Sequence, residues 1–260
     1  MKNYINIVFS FIILVVAFAA VYCSSTDFIY ETYTRVITTT TEIVEEIDPR
    51  TFQNEDELLK NMVIDFFNIK SKNDHIIGWL NVPNVGYFPV MAYSDNQFYL
   101  NHNEYDKYHA NGTIFMNTAS EFSFSDMALV HGHRLRSGKL FGTLKQYKDK
   151  KFFQQNDLIL VFDGEYFYYY KPFSVFLVED GVEYIKQSGL PGEERTAYLE
   201  SIYKRSTVKM EEGLTPNLEE QILYLQTCDY SFDNARLIVA TYRVRTIKYD
   251  PEIHGVFNPE

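Results

Sequence analysis

Three sets of residues in this sequence have the types and spacing for chemistry: His131-Gly132-His133, Cys228 and Arg236. A cysteine attacks as a thiolate, so a reactive one requires a base or a positive charge beside it. A histidine supplies proton transfer, because its ordinary pKa lies near working pH. An arginine offers a rigid, permanently charged fork suited to a developing oxyanion. The other cysteine is Cys23, so the chain after it holds a single thiol and no disulfide framework. Such a thiol is a reactive group, half of an intermolecular bridge, or an inert buried cysteine, and the residue alone leaves these readings open. His131 and His133 fall on one face of a strand, which is also a metal-ligand arrangement. No third ligand is marked, which ranks metal below catalysis. Arg236 has a plainer alternative in an ion pair with Asp229 or Asp233. His75, His102, His109 and His254 stand without chemical company and read as surface residues. The three groups imply no metal and no organic cofactor.

Strands must bring these groups together. QILYLQT (221–227) runs into Cys228, and ARLIVATYRVR (235–245) opens with Arg236 at its second position. Side-by-side pairing of the two puts sulfur and guanidinium at one end of a sheet, across the turn 229–235. MALVHGH (127–133) is an earlier strand ending in the histidines. Further short apolar segments are IIGWL (76–80), YFPVMAY (87–93), GTIFM (112–116), LILVF (158–162) and EYFYYYKPFSVFLVE (165–179). Asp163-Gly164 between two of them signals a two-residue hairpin. Pro172 predicts a break into two strands, or an edge. Leu58, Leu59, Met62, Val63, Phe66 and Phe67 recur at helical spacing behind Glu55, Asp56 and Glu57, so 54–70 reads as an amphipathic helix packed on the domain. Two more helices are expected, at 140–147 and 193–205. About eight strands with few helices point to a barrel or sandwich rather than βαβ winding.

The chain of 260 residues (30.5 kDa) suits one sizeable domain with appendages. Its 17% aromatic content fits β-structure, and its net charge of −11 argues against a nucleic-acid partner. There is no internal repeat and no glycine-rich phosphate loop. From Tyr4 to Cys23 no residue is charged, and 20 residues at ~1.5 Å each span ~30 Å, a bilayer's apolar thickness. Lys2 before the segment, and Asp27 and Glu31 after it, predict a single-pass anchor in the cell membrane with the N-terminus cytoplasmic and the catalytic domain extracellular. The alternatives are a signal peptide cleaved at Ala17-Phe18-Ala19 and a lipid-modified Cys23. The expected divisions are 1–3 cytoplasmic, 4–23 transmembrane, 24–50 stalk, 51–72 N-terminal helix, 73–250 catalytic barrel and 251–260 tail.

Several ordered segments resemble one family. LVHGHRLRSGKLFGTLKQY (129–147), YLQTCDYSFDNARLIVA (224–240), SDNQFYL (94–100), NGTIFMN (111–117), and GWL (78–80) with FPV (88–90) are similar to segments of class B sortases. These are the membrane-anchored cysteine transpeptidases of Gram-positive bacteria. The resemblance implies a mainly β fold: a closed, roughly eight-stranded barrel with peripheral helices and an N-terminal helical extension. It implies Cys228 as nucleophile, His133 as general acid/base and Arg236 as the oxyanion or carbonyl ligand. Asn96 and Leu100, with Tyr184 and Ile185 from the loop before the long helix, would line the substrate groove. Gln226 and Thr227 would border the nucleophile on the substrate side. Tyr224 and Gln226 depart from the family's usual Thr and Ser, and His131 replaces a residue that is often aromatic or aliphatic. The implied partners are secreted proteins or pilins bearing a sorting motif, and an amine acceptor on a cell-wall precursor or a pilin lysine. Asp48-Pro49 is followed by Arg50 rather than the aromatic of a class C lid, so wall anchoring and pilin polymerisation both stay open. A cysteine hydrolase and a non-catalytic surface binding module are the rival classes.

Overall fold

Residues 55–121, 123–124, 126–180, 190, 192–209 and 221–254 are described in a computed structural model. Helix α1 (Glu55–Lys70) follows from the apolar spacing, and Leu59, Met62, Val63, Phe66 and Ile69 form its buried stripe. Its first turn holds Glu55, Asp56 and Glu57, where carboxylates favour the positive end of the helix dipole. Phe66 packs edge-on against Phe162, with ring centroids 5.4 Å apart.

The strands are β1 (Ile76–Val82), β2 (Gly86–Met91), β3 (Ile114–Met116), β4 (Met127–His131), β5 (Ile159–Phe162), β6 (Tyr166–Glu179), β7 (Val208–Lys209), β8 (Ile222–Cys228) and β9 (Ala235–Lys248). They run side by side as β5-β1-β2-β3-β4-β8-β9-β6, and β5 pairs back onto β6. That last pairing closes an eight-stranded barrel, leaving β7 on the flank of β6. Closure removes the sheet edges that would otherwise stay open. The β2–β3 and β4–β8 pairs are parallel, and the rest are antiparallel.

The strands around the site are apolar on both faces because both are covered. Inward residues such as Val130, Leu223, Leu225, Leu237 and Val239 fill the barrel. Outward residues such as Leu129, Tyr224, Ile238 and Phe176 pack beneath Leu199 and Ile202 of helix α3 (Gly192–Arg205).

Local expectations were corrected in several places. Pro172 neither breaks β6 nor marks an edge: the strand is continuous for 14 residues, with register shifts around Tyr169/Tyr170 and Pro172/Ser174. Irregular pairing is where a strand tolerates the missing N–H of proline. The hairpin at Asp163-Gly164 forms with Glu165 as a third connecting residue, since Asp163 Oδ1 accepts from the N–H groups of Glu165 and Tyr166. The helix expected at 140–147 is a 3₁₀ segment, Phe141–Lys148, which leads into α2 (Lys150–Gln155). Asp149 ends the first and caps the second, accepting from Phe152 N at 2.8 Å. His254, expected at the surface, is 8% exposed in the short helix α4 (Pro251–His254) and lies against Phe167 and Tyr249.

The expected localisation is also corrected. Among the described residues no helix is long and apolar enough to cross a membrane. The longest, α1, has 16 residues and carries charged residues along its exposed face, whereas a span requires ~20 apolar ones. The segments expected as cytoplasmic end, span and stalk (1–3, 4–23 and 24–50) lie outside the described residues.

Leu225 is fully buried in the barrel interior. Leu225→Ala is expected to cost about 2–5 kcal/mol of stability. Denaturant unfolding, with the slope held common between variants, measures it.

Candidate active site

β8 ends at Cys228, and Cys228 stands directly across the ladder from Arg236 on β9. Directly opposed residues of an antiparallel pair project to the same face, so sulfur and guanidinium leave the sheet together. On the other side of β8, His131 of β4 is the register partner of Gln226. The parallel ladder continues one step past β4, because Gly132 N–H donates to the Gln226 carbonyl at 3.0 Å. Thr227 adds a second tie, its hydroxyl donating to the Gly132 carbonyl at 2.7 Å. Alternation then carries His133 to the outer face, level with Cys228. Gly132 points inward, where a Cβ would lie 2.4 Å from Ile114 Cδ1 and 2.6 Å from Phe141 Cδ2. Only glycine fits there, which explains the Gly-His pair in physical terms.

The His133 ring is oriented by backbone. Its Nε2 lies 2.9 Å from the Leu100 carbonyl. A carbonyl only accepts, so Nε2 carries a proton and Nδ1 is the nitrogen left to exchange one. The carbonyl is itself held in place. Tyr99 is buried and its hydroxyl donates to Asp106 at 2.7 Å, and Asp106 also takes Asn73 Nδ2 and His75 Nδ1. Gly112 sits beneath with φ +61°, and a Cβ on it would lie 2.6 Å from the Leu100 oxygen. His75, expected as an uninvolved surface residue, is thus part of this support.

Arg236 pairs with Asp180 at 2.5 Å, and not with Asp229 or Asp233, the partners of the plainer alternative. Its guanidinium side chain is 21% exposed, between core and solvent. His131 lies on the same face, its ring stacked on Phe115 and its Nε2 accepting from Asn117 Nδ2 at 3.0 Å. Burial, with the Arg236 charge adding to it, pushes the His131 pKa down to about 4, so this imidazole is neutral at working pH. The two imidazoles therefore have separate partners, and among the described residues no cluster of three His, Cys, Asp or Glu side chains is arranged to hold a metal ion.

The expected substrate-contact residues fall in different environments. Leu100 reaches the site through its backbone oxygen. Asn96 is engaged with Thr118, accepting from its N–H at 2.9 Å and donating to its hydroxyl at 3.2 Å. Gln226 shares the outer face with Cys228 and is 7% exposed. Thr227 faces the interior and is 2% exposed, its hydroxyl bound to Gly132. Tyr184 and Ile185 lie outside the described residues. Sequence reasoning missed Asp180, Arg134 and Lys148 and offered Asp229 only as a partner of Arg236, whereas it pairs with Arg134 and Lys148. Only the adjacency of Asp229 to Cys228 and of Arg134 to His133 hinted at it.

Comparison with known proteins fits this arrangement. A family profile described as "Sortase domain" matches residues 80–244. The chain is 23% identical to sortase B of Listeria monocytogenes over 176 residues, covering 66% of this chain and 71% of that protein. It is 24% identical to sortase B of Staphylococcus aureus over 179 residues, covering 67% and 72%. Among solved structures, sortase B of Clostridium perfringens superposes with a TM-score of 0.64 and 29% identity, over 69% of this chain and 99% of that one. A sortase B–substrate complex from Staphylococcus aureus gives a TM-score of 0.64 at 20% identity, over 80% and 98%, which speaks to the fold.

The depressed pKa of His131 has a consequence for stability. Between about pH 4 and the ordinary histidine value of 6.5, the unfolded chain binds a proton that the folded chain refuses. Stability therefore falls as pH is lowered through that window. His131→Phe, which keeps an aromatic ring on Phe115, is expected to lose less between pH 7 and pH 4.5 than the unsubstituted chain. Melting temperatures of both proteins across that range check it.

Proposed function

The chain belongs to the sortase family, and from that premise we propose that Cys228, His133 and Arg236 carry a two-step acyl transfer. It is a class B sortase and a cysteine transpeptidase. The donor is a protein bearing a sorting motif, and the acceptor is an amine. The observation that carries the residue roles is the register of three neighbouring strands: Cys228 opposite Arg236, and His133 one strand away at the same level.

In the first step the Cys228 thiol passes its proton to His133 Nδ1, and the resulting thiolate attacks the carbonyl carbon of the scissile peptide bond. The carbonyl electrons move onto oxygen, and the Arg236 fork stabilises that charge. Asp180 presents Arg236 from the side. Collapse breaks the C–N bond, the leaving nitrogen takes a proton from His133 Nδ1, and a thioester on Cys228 remains. In the second step His133 removes a proton from the incoming amine, whose nitrogen attacks the thioester. A new amide forms and the thiol is restored. The acceptor is the amine of a cell-wall precursor peptide or of a lysine on another protein, and amine supply separates either from water: a transferase turns over faster with added amine, and a hydrolase does not.

Two outcomes are expected. Mixing the protein with a panel of sorting peptides yields a covalent adduct on Cys228, absent in Cys228→Ala and discharged by hydroxylamine. Turnover without any such adduct in intact-protein mass spectra would falsify the mechanism. Separately, Arg236→Lys is expected to lower kcat by about 100-fold or more, because a point charge does not reproduce the fork. Near-normal kcat in that variant removes Arg236 from the oxyanion role.

A further inference from the structure

An ion cluster beside the nucleophile plays no part in the chemistry above. Asp229 directly follows Cys228, and its side chain is 3% exposed. Its two oxygens have separate work. Oδ1 accepts from the Ser231 N–H at 2.9 Å and the Ser231 hydroxyl at 2.5 Å, which closes the turn after β8. Oδ2 accepts from Arg134 Nη1 and Lys148 Nζ, each at 3.1 Å. Burial pushes the Asp229 carboxyl up, but bonds from Ser231 and Lys148 outweigh it, leaving the pKa below the usual carboxylate value. Arg134 directly follows His133, and its guanidinium also lies over the Tyr230 ring, 4.5 Å from the centroid. The Arg134 loop is closed at its base, by a bridge to Leu140 and by Phe141 N–H donating to the His133 carbonyl at 3.1 Å. A buried ion pair thus joins the residue next to the proposed base with the residue next to the proposed nucleophile.

We propose that Asp229 is a positioning residue that, through Arg134, holds the His133 loop at a fixed distance from Cys228. The inference rests on His133 and Cys228 being the working pair. The Gly132–Gln226 and Thr227–Gly132 bonds fix the backbone just before His133. The Asp229–Arg134 pair fixes it just after, so the imidazole is held from both sides. The competing account is that the carboxylate acts on the sulfur directly, as a neighbouring anion that repels the thiolate.

The two accounts differ in sign. The probe is iodoacetamide, and the readout is the alkylation rate of Cys228 at pH 7, with Cys228→Ala as blank. Losing the tie separates imidazole from sulfur, so Asp229→Asn is expected to alkylate about threefold or more slowly, in the same direction as His133→Ala. Removing a nearby anion would instead speed alkylation. Arg134→Gln breaks the same tie without altering the neighbour of Cys228, so it is expected to slow the reaction too. It serves as the second variant if Asp229→Asn folds poorly. The double variant is expected to be no slower than the slower single one, because both remove one interaction. Rates restored by the double variant, or faster than wild type in Asp229→Asn, or unchanged in Arg134→Gln, overturn the proposal. If Arg134→Gln is unchanged while His133→Ala is slow, the tie fails and the Cys–His pairing stands. If His133→Ala itself matches wild type, the pairing fails and the tie with it. The thioester experiment remains an independent test of the acyl transfer.

Discussion

Two short hydrogen bonds hold the site together: Gly132 N–H to the Gln226 carbonyl and the Thr227 hydroxyl to the Gly132 carbonyl. They extend the parallel β4–β8 pairing beyond the end of β4. Without that extension the histidine loop would leave the barrel wherever its own turn preferences directed it. Because the bonds alternate along the strand, inward Thr227 and Gly132 serve as structure while outward Cys228 and His133 are presented to the exterior. A side-chain hydroxyl buried against a carbonyl is costly to leave unpaired, so the pairing is strongly specified. The closed barrel provides the rigid frame that this extension requires.

Electrostatics complete the arrangement. The chain is acidic as a whole, with a net charge of −11, yet Arg236 stands opposite Cys228, and Arg134 and Lys148 meet its neighbour Asp229. Arg236, Arg134 and Lys148 all approach that end of the barrel, and each meets a specific carboxylate, Asp180 or Asp229. Long cationic side chains without partners would sample many rotamers. A carboxylate on each restricts them and keeps their charge directed. His131 stays neutral chiefly because it is buried, and the Arg236 charge adds to that. The two histidines of one tripeptide have different partners, Asn117 and Phe115 for His131 and the Leu100 carbonyl for His133.

The loop before β3 shows how much of a site is backbone. Leu100 enters by its carbonyl, and the residues that matter to that carbonyl are Tyr99, Asp106 and Gly112. A sequence reader looking for chemical side chains passes over a leucine whose oxygen orients an imidazole. The same reader takes His75 for a surface residue, since its partner Asp106 is 31 positions away. Pro172 misleads for a related reason: its cost depends on whether the partner strand is regular at that point, and here it is not.

The types and local spacing of the residues determined a good deal. A lone downstream thiol, a Gly-His pair closing an apolar strand, and an arginine opening the next strand were legible, because strand alternation and turn chemistry act over a few residues. The mainly β architecture was legible for the same reason, since each segment carries its own period and breakers. Tertiary structure alone decided which carboxylate meets Arg236, which oxygen orients His133, and that Asp229, Arg134 and Lys148 converge. Those contacts join segments 33 to 95 positions apart. Such pairings are set by barrel closure and strand register, which no local pattern encodes.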